Sequence, residues 1–177
     1  MTLRTEIAIE SACGWPSRLG AGALLVLTLI VQGCTFAEDA EQGLYEYKQG
    51  NYSEAASIWR RLAGRNDSTA QFYLGRMYQL GEGVPADLEK AAAWYRKAAD
   101  TGNPYAQGNL AVLYAYGRGV PPDFVLSYAW SSRAAAGYPK WADDLRAAAF
   151  ANRDIVAVKM TAPEILAAQQ LSETLRR

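Results

Sequence analysis

The feature that most constrains this chain is an internal repeat. Displaced by 36 residues, Ala70–Ala99 overlays Ala106–Ala135 with thirteen of thirty positions identical. Chance overlap of average compositions would give about two. The shared positions include Leu74/Leu110, Tyr78/Tyr114, Gly81/Gly117, Gly83/Gly119, Val84/Val120, Pro85/Pro121, Asp87/Asp123 and Trp94/Trp130. A period of this length marks units that cannot bury their apolar faces alone and do so by stacking on neighbours.

Each unit reads as two antiparallel helices. Ser68-Thr-Ala-Gln71 has the form of a capping box, with Ser68 as the acceptor. Ala70, Leu74, Met77 and Tyr78 follow at helical spacing and make one apolar stripe. Gly81 can adopt the left-handed conformation that stops a helix, and Gly81–Pro85 then forms a compact turn. Asp87 is placed to cap a second helix, whose buried face is Ala91, Trp94, Tyr95, Ala98 and Ala99. Gly102 ends that helix, and Asn103-Pro104 starts the next unit with a cap and a first-turn proline.

Helix pairs are also expected on both flanks. Upstream, 38–49 and 53–62 are joined at Gly50-Asn51. Downstream, Gly137-Tyr-Pro139 is expected to open one long or broken helix, shifted so that Leu145 falls opposite Leu110. Thr161-Ala-Pro-Glu164 is a second capping box, starting a last helix from Ile165 to Leu175. The fold class is therefore all-α. The expected boundaries are 1–37 for an export segment, 38–67 for a degenerate helix pair, 68–102 and 103–137 for the repeats, and 138–177 for a helical cap.

Leu74-Gly-x-Met-Tyr-x-x-Gly-x-Gly-Val-x-x-Asp-x-x-Lys-Ala-x-x-Trp-Tyr-x-Lys-Ala-Ala99 resembles the Sel-one-like repeat, a relative of the tetratricopeptide repeats. The second unit departs from that pattern at Leu126, Ser127 and Ser131, where Lys, Ala and Tyr are usual. Tyr45, Gly50, Tyr52, Ala55, Ala56 and Trp59 resemble a tetratricopeptide unit, and Asn152–Thr161 resembles the C-terminal cap of proteobacterial members. The resemblance implies a right-handed α-solenoid and a scaffolding or adaptor role. It also implies that the first helix of each pair lines a concave face.

Composition excludes much chemistry. The chain has no His, which removes the commonest general base and most zinc and non-haem iron sites, so no enzyme activity, metal or cofactor is expected. Eighteen basic and 18 acidic residues balance, with no electrostatic footprint for nucleic acid. Two of each precede Cys34, so 16 of each remain and the repeat region is itself neutral.

The N-terminus reads as an address. Arg4 and Arg18 precede the apolar run Leu19–Val31, too short for the roughly 20 residues of a spanning helix but suited to a secretory signal. Val31-Gln32-Gly33-Cys34 resembles a bacterial lipobox, which would make Cys34 an acylated N-terminus and the only contact with membrane. Thr35-Phe36-Ala37 offers the alternative of ordinary cleavage, giving a soluble periplasmic or secreted chain. The lipoprotein resemblance implies the envelope of a diderm bacterium, and Thr35 in place of Asp favours the outer membrane.

Positions identical in both repeats are those the fold requires, whereas those that differ are free to serve a partner. On the first helices these are Phe72/Gly108, Tyr73/Asn109, Arg76/Val112, Gln79/Ala115 and Leu80/Tyr116. Aromatic, Arg and apolar residues suit protein or peptide capture. The candidate binding residues are thus Phe72, Tyr73, Arg76, Gln79, Asn109, Val112 and Tyr116, alongside packing against the next unit as the other role for some of them. The expected function is a monomeric protein-interaction scaffold with an envelope protein or peptide as partner. The alternative is a peptidoglycan- or glycan-binding structural protein using exposed Tyr and Trp.

Overall fold

The structure, a computed structural model, describes residues 39–175. The export segment with Cys13, the lipobox Cys34 and Ala37 lies outside the described residues. Among the described residues there are eight α-helices and no strand: α1 (39–48), α2 (Tyr52–Ala63), α3 (Ser68–Leu80), α4 (Leu88–Asp100), α5 (Pro104–Tyr116), α6 (Phe124–Gly137), α7 (Asp143–Ala157) and α8 (Ala162–Thr174). None of them is long and apolar enough to cross a membrane.

Local chemistry sets the helix boundaries. Asp87, Asn103 and Asp123 each accept the backbone N–H three residues on, at 2.9–3.0 Å, satisfying donors a helix start leaves open. The cap of α3 is Asp67, not the expected Ser68: the Asp67 carboxylate accepts from Ala70 N at 2.7 Å, and Ser68 is already helical. At Thr161 the expected box forms, with the Glu164 carboxylate accepting the Thr161 backbone N–H at 2.7 Å. Gly81 and Gly117 stop α3 and α5 at φ +75° and +63°, a region glycine enters without steric cost.

From α2 to α7 each helix packs against the next, as antiparallel hairpins stacked into a solenoid, whereas α8 packs on α6 rather than on α7. Ala55, Ala56, Trp59, Leu74 and Met77 centre one layer, and Ala91, Tyr95, Ala98, Leu110 and Leu113 the next. Alanine at the crossings lets backbones approach, while Leu74 and Leu110, both fully buried, contribute about 1.5–3 kcal/mol each. The second glycine of each turn stitches one unit to the last. A Cβ on Gly83 would lie 2.3 Å from the Tyr52 carbonyl oxygen, and one on Gly119 2.2 Å from that of Leu88. Each turn therefore seats on the first residue of the preceding unit's second helix.

The inner curve follows from which helices touch. Over the two repeats the first helices of successive pairs, α3 with α5 and α5 with α7, contact one another more than the second helices α4 and α6 do; only at the cap do second helices, α6 and α8, pack together. The first helices thus line the inside of the curve.

The C-terminal cap differs from expectation. Gly137 ends α6 rather than opening a helix, residues 138–142 make a turn closed by Ala142 N donating to Pro139 O at 2.9 Å, and α7 begins at Asp143. Leu145, expected opposite Leu110, is 40% exposed; Ala142 and Ala149 are the buried positions, in unshifted register with Ala106 and Leu113. Finally, α8 docks on α6, placing Ala168 and Ile165 in one apolar cluster with Tyr128 of α6 and Val156 of α7.

Candidate functional site

The variable positions of α3 and α5 divide into two groups. Phe72, Tyr73 and Gln79 are half-buried and engaged within the chain. The Tyr73 ring stacks on Trp59 at 4.7 Å between centroids, and Phe72 lies 6.0 Å from Tyr95 and 5.8 Å from Tyr105. The Gln79 amide oxygen accepts from the Tyr95 hydroxyl at 2.8 Å, and the half-buried Asn109 reaches the same hydroxyl. Burial pushes the Tyr95 phenol upward, and the Asn109 hydrogen bond opposes this.

Arg76, Leu80, Val112 and Tyr116 form the second group, and all four are exposed. Residues 76 and 80 lie one helical turn apart on α3, as do 112 and 116 on α5, so the four make two adjacent rows on neighbouring helices. The Arg76 guanidinium carbon sits 5.3 Å from the centroid of Tyr47, and Arg118 sits 5.5 Å from that of Tyr116. Among the described residues Arg76 has no carboxylate in ion-pair contact. Its donor fork is therefore open, while the ring beneath fixes its place.

Tyr47 was not singled out from the sequence. Its hydroxyl donates to the Glu82 carboxylate, and burial together with that bond pushes its phenol up to about 12. The α1–α2 pair is too degenerate for the 36-residue overlay to reach, so no contrast marked it. Tyr105 and Tyr138 were missed similarly: Tyr105 aligns with Thr69, one residue before the overlay begins. The rings of Tyr52, Tyr47, Tyr73, Phe72, Tyr105 and Tyr138 run as a continuous chain with centroids 5.2–6.0 Å apart. Their tilted and edge contacts cover one another, so this chain mainly cements the units.

The remaining sequence candidates are structural. Gly83 and Gly119 belong to inter-helix turns, and Asp143 and Asp144 occupy the first turn of α7, where the helix dipole favours acids. Among the described residues no group of three His, Cys, Asp or Glu could hold a metal ion.

Comparison with known proteins agrees with this architecture. The Sel1 repeat family matches residues 68–103 and 104–138. A protective antigen present in uropathogenic Escherichia coli strains, displaying an SLR fold, superposes with a TM-score of 0.70 at 31% identity over 79% of this chain. A Sel1 repeat protein from Oxalobacter formigenes superposes with a TM-score of 0.53 at 33% identity over 55% of this chain. This chain spans 29% and 39% of the lengths of those two proteins. No curated protein sequence matches it. With two matched units, each an antiparallel helix pair, and SLR-fold neighbours, the chain belongs to the Sel1-like repeat family.

Proposed function

We propose that this protein is a non-enzymatic scaffold of the bacterial cell envelope that holds an extended protein segment along the inner face of α3 and α5. Proteins built of Sel1 repeats generally mediate protein–protein interactions. The observation that carries the reading is Arg76, held over Tyr47 with no carboxylate in ion-pair contact among the described residues, beside the exposed row Val112 and Tyr116. A preplaced guanidinium beside an apolar row suits a segment carrying an acidic side chain a few residues from an apolar one. Adjacent helix axes lie about 8–10 Å apart, which an extended chain covers in about three residues. A glycan reading needs several open ring faces in a row, and most rings here lie against one another. Export, with Cys34 acylated at the outer membrane, completes the proposal and rests on the N-terminal residues alone.

A photo-crosslinking side chain at Val112, in intact cells, tests the binding face. One dominant protein adduct is expected. Arg76→Glu with Tyr116→Ala should reduce it about 30-fold, a loss of roughly 2 kcal/mol, with helical content unchanged. Tyr73→Ala is no clean substitute, because it unstacks Trp59. Absence of any adduct, together with retention on isolated sacculi, would favour the glycan alternative. Acyl labelling of the wild type but not of Cys34→Ser is the expected result for the anchor; an unlabelled wild type removes it in favour of cleavage near Ala37.

A further inference from the structure

The strongest unexplained feature lies at the other end of the solenoid. α7 is covered by α6 on one side, and its outward side carries a run of apolar residues: Leu145, Ala148, Ala151, Ile155 and, just past the helix, Val158 are all exposed. Ile155 is 50% exposed and Val158 88%, and Trp141, just before the helix, is 78% exposed. α7 also carries Asp143, Asp144, Arg146, Asn152, Arg153 and Asp154, but a run of exposed apolar side chains of this kind marks an interface.

The pattern on this face is complementary to its own reverse. Leu145 and Val158 lie at equal distances from the midpoint between Ala151 and Asn152, as do Ala148 and Ile155, and as do Asp144 and Lys159. Two copies of α7 laid antiparallel about a two-fold axis at that midpoint would bring these pairs opposite one another, with Val158 and Lys159 just past the last helical residue, Ala157. Large Ile155 meets small Ala148 twice, Leu145 meets Val158 twice, and Ala151 at the crossing lets the backbones approach. Asp144 meets Lys159 at both ends. Among the described residues neither has an ion-pair partner: Asp144 is exposed, and the Lys159 ammonium rests 5.2 Å from the Phe124 ring centroid. A two-fold axis makes each of these contacts twice, so the opposite charges of Asp144 and Lys159 and the large-on-small pairing of Ile155 with Ala148 argue for a second copy of this chain as the occupant.

We propose that this protein forms a two-fold dimer in which α7 packs antiparallel against α7 of a second copy. The dimer leaves the inner face of α3 and α5 in each copy free, so two partner segments could be held at once and benefit from multivalency.

The test uses the full chain. Ala151→Cys places a thiol beside the axis, and in intact cells under mild oxidation a covalent dimer is expected on non-reducing gels. Ser53→Cys on α2 and the unmodified chain control for chance pairing and for Cys13 and Cys34. Ile155→Asp in the Ala151→Cys background should abolish the band, while circular dichroism shows the helices intact, since Ile155 is a half-exposed residue. Asp144→Lys or Lys159→Asp alone should weaken self-association of the detergent-solubilised full chain about tenfold, and the two together should restore it. No Ala151→Cys dimer above the controls, or a chain that sediments as a monomer at all concentrations, overturns the proposal. A dimer that ignores both charge reversals overturns the antiparallel register.

Discussion

The two repeats share a backbone plan but fill one place in it differently. In the first, Tyr95 is fully buried, and it fits because position 75 is glycine: a Cβ there would come 2.6 Å from the Tyr95 ring. In the second, the equivalent positions are Ala111 and Ser131. The volume lost with the ring is taken by α7, whose Asn152 amide donates to Ser131 Oγ at 2.7 Å and to Ser127 Oγ at 3.3 Å. Ser127 in turn donates to the Ala111 carbonyl at 2.8 Å. The departures from the repeat pattern at Ser127 and Ser131 are therefore the seat of the cap. A repeat followed by another repeat closes its core with a ring; a repeat followed by the cap closes it with a polar contact.

The comparison breaks most visibly at the Gly75–Tyr95 pair. Tyr95→Ser, which gives the first repeat the residue of the second without an asparagine to meet it, should cost about 3–5 kcal/mol. Gly75→Ala alone should cost about 1–3 kcal/mol by overpacking against the ring. Once the ring is gone the same alanine should be favourable by up to about 1 kcal/mol, because it no longer clashes and is the better helix former. Denaturant unfolding of the two single variants and the double measures the coupling. Additive losses would mean that glycine and tyrosine are independent.

Asn152 probes the same place in the second repeat, with a smaller effect. Asn152→Ala leaves the buried Ser131 hydroxyl without its donor and should cost about 1–3 kcal/mol. Adding Ser131→Ala should recover most of that, since removing both partners of a buried hydrogen bond is far less costly than removing one. Amide exchange in α7 and α8 is the measurement of choice, because the loss should loosen the cap before the repeats. If exchange instead rises uniformly from α3 onward, the polar contact serves the whole solenoid.

How far the sequence could be read follows the same division. Where two copies of a unit exist, identity separates structural positions from free ones. The helices, the Asp87 and Asp123 caps and the Gly81 and Gly117 stops were legible for that reason, and the Asn103 cap from the proline that follows it. Asp67 was not, because Ser68 offered an equally good capping side chain one residue later. The register of α7 was misread because Leu145 is the first large apolar residue after the turn, and burial was assigned to it. In the fold Ala142 and Ala149 take those places, and Arg146 reaches back to donate to Pro139 O at 2.9 Å. Of the candidate binding residues, Arg76, Val112 and Tyr116 face solvent, while Phe72, Tyr73 and Gln79 are half committed to packing. Contrast between units cannot distinguish a residue free for a partner from one adapted to a different neighbour.

The smallest difference between the repeats lies at their second caps and depends on pH. The Asp87 carboxylate lies below the usual 3.8, held down first by the Lys90 ammonium, which donates to it, and then by the Lys90 backbone N–H. The equivalent Asp123 accepts the Leu126 backbone N–H, but residue 126 brings no ammonium. Because folding lowers the Asp87 value, the folded chain binds that proton less readily than the unfolded one. Its contribution is thus complete above pH 3.8 and is lost as pH falls through the depressed value. The Lys90 value is raised from 10.5, so its share is complete below that pH and is lost as pH rises past the elevated value. Asp87→Asn should therefore lower Tm at neutral pH, and its deficit against the wild type should shrink on acidification below pH 3.8. Lys90→Leu, which copies the second repeat, should shrink the acid-sensitive part while keeping the cap, and added salt should act in the same direction because the pair is exposed. A deficit unchanged between neutral and acid pH would show that the loss does not depend on ionisation of the Asp87 carboxylate, and that the ammonium at Lys90 adds nothing the second repeat lacks.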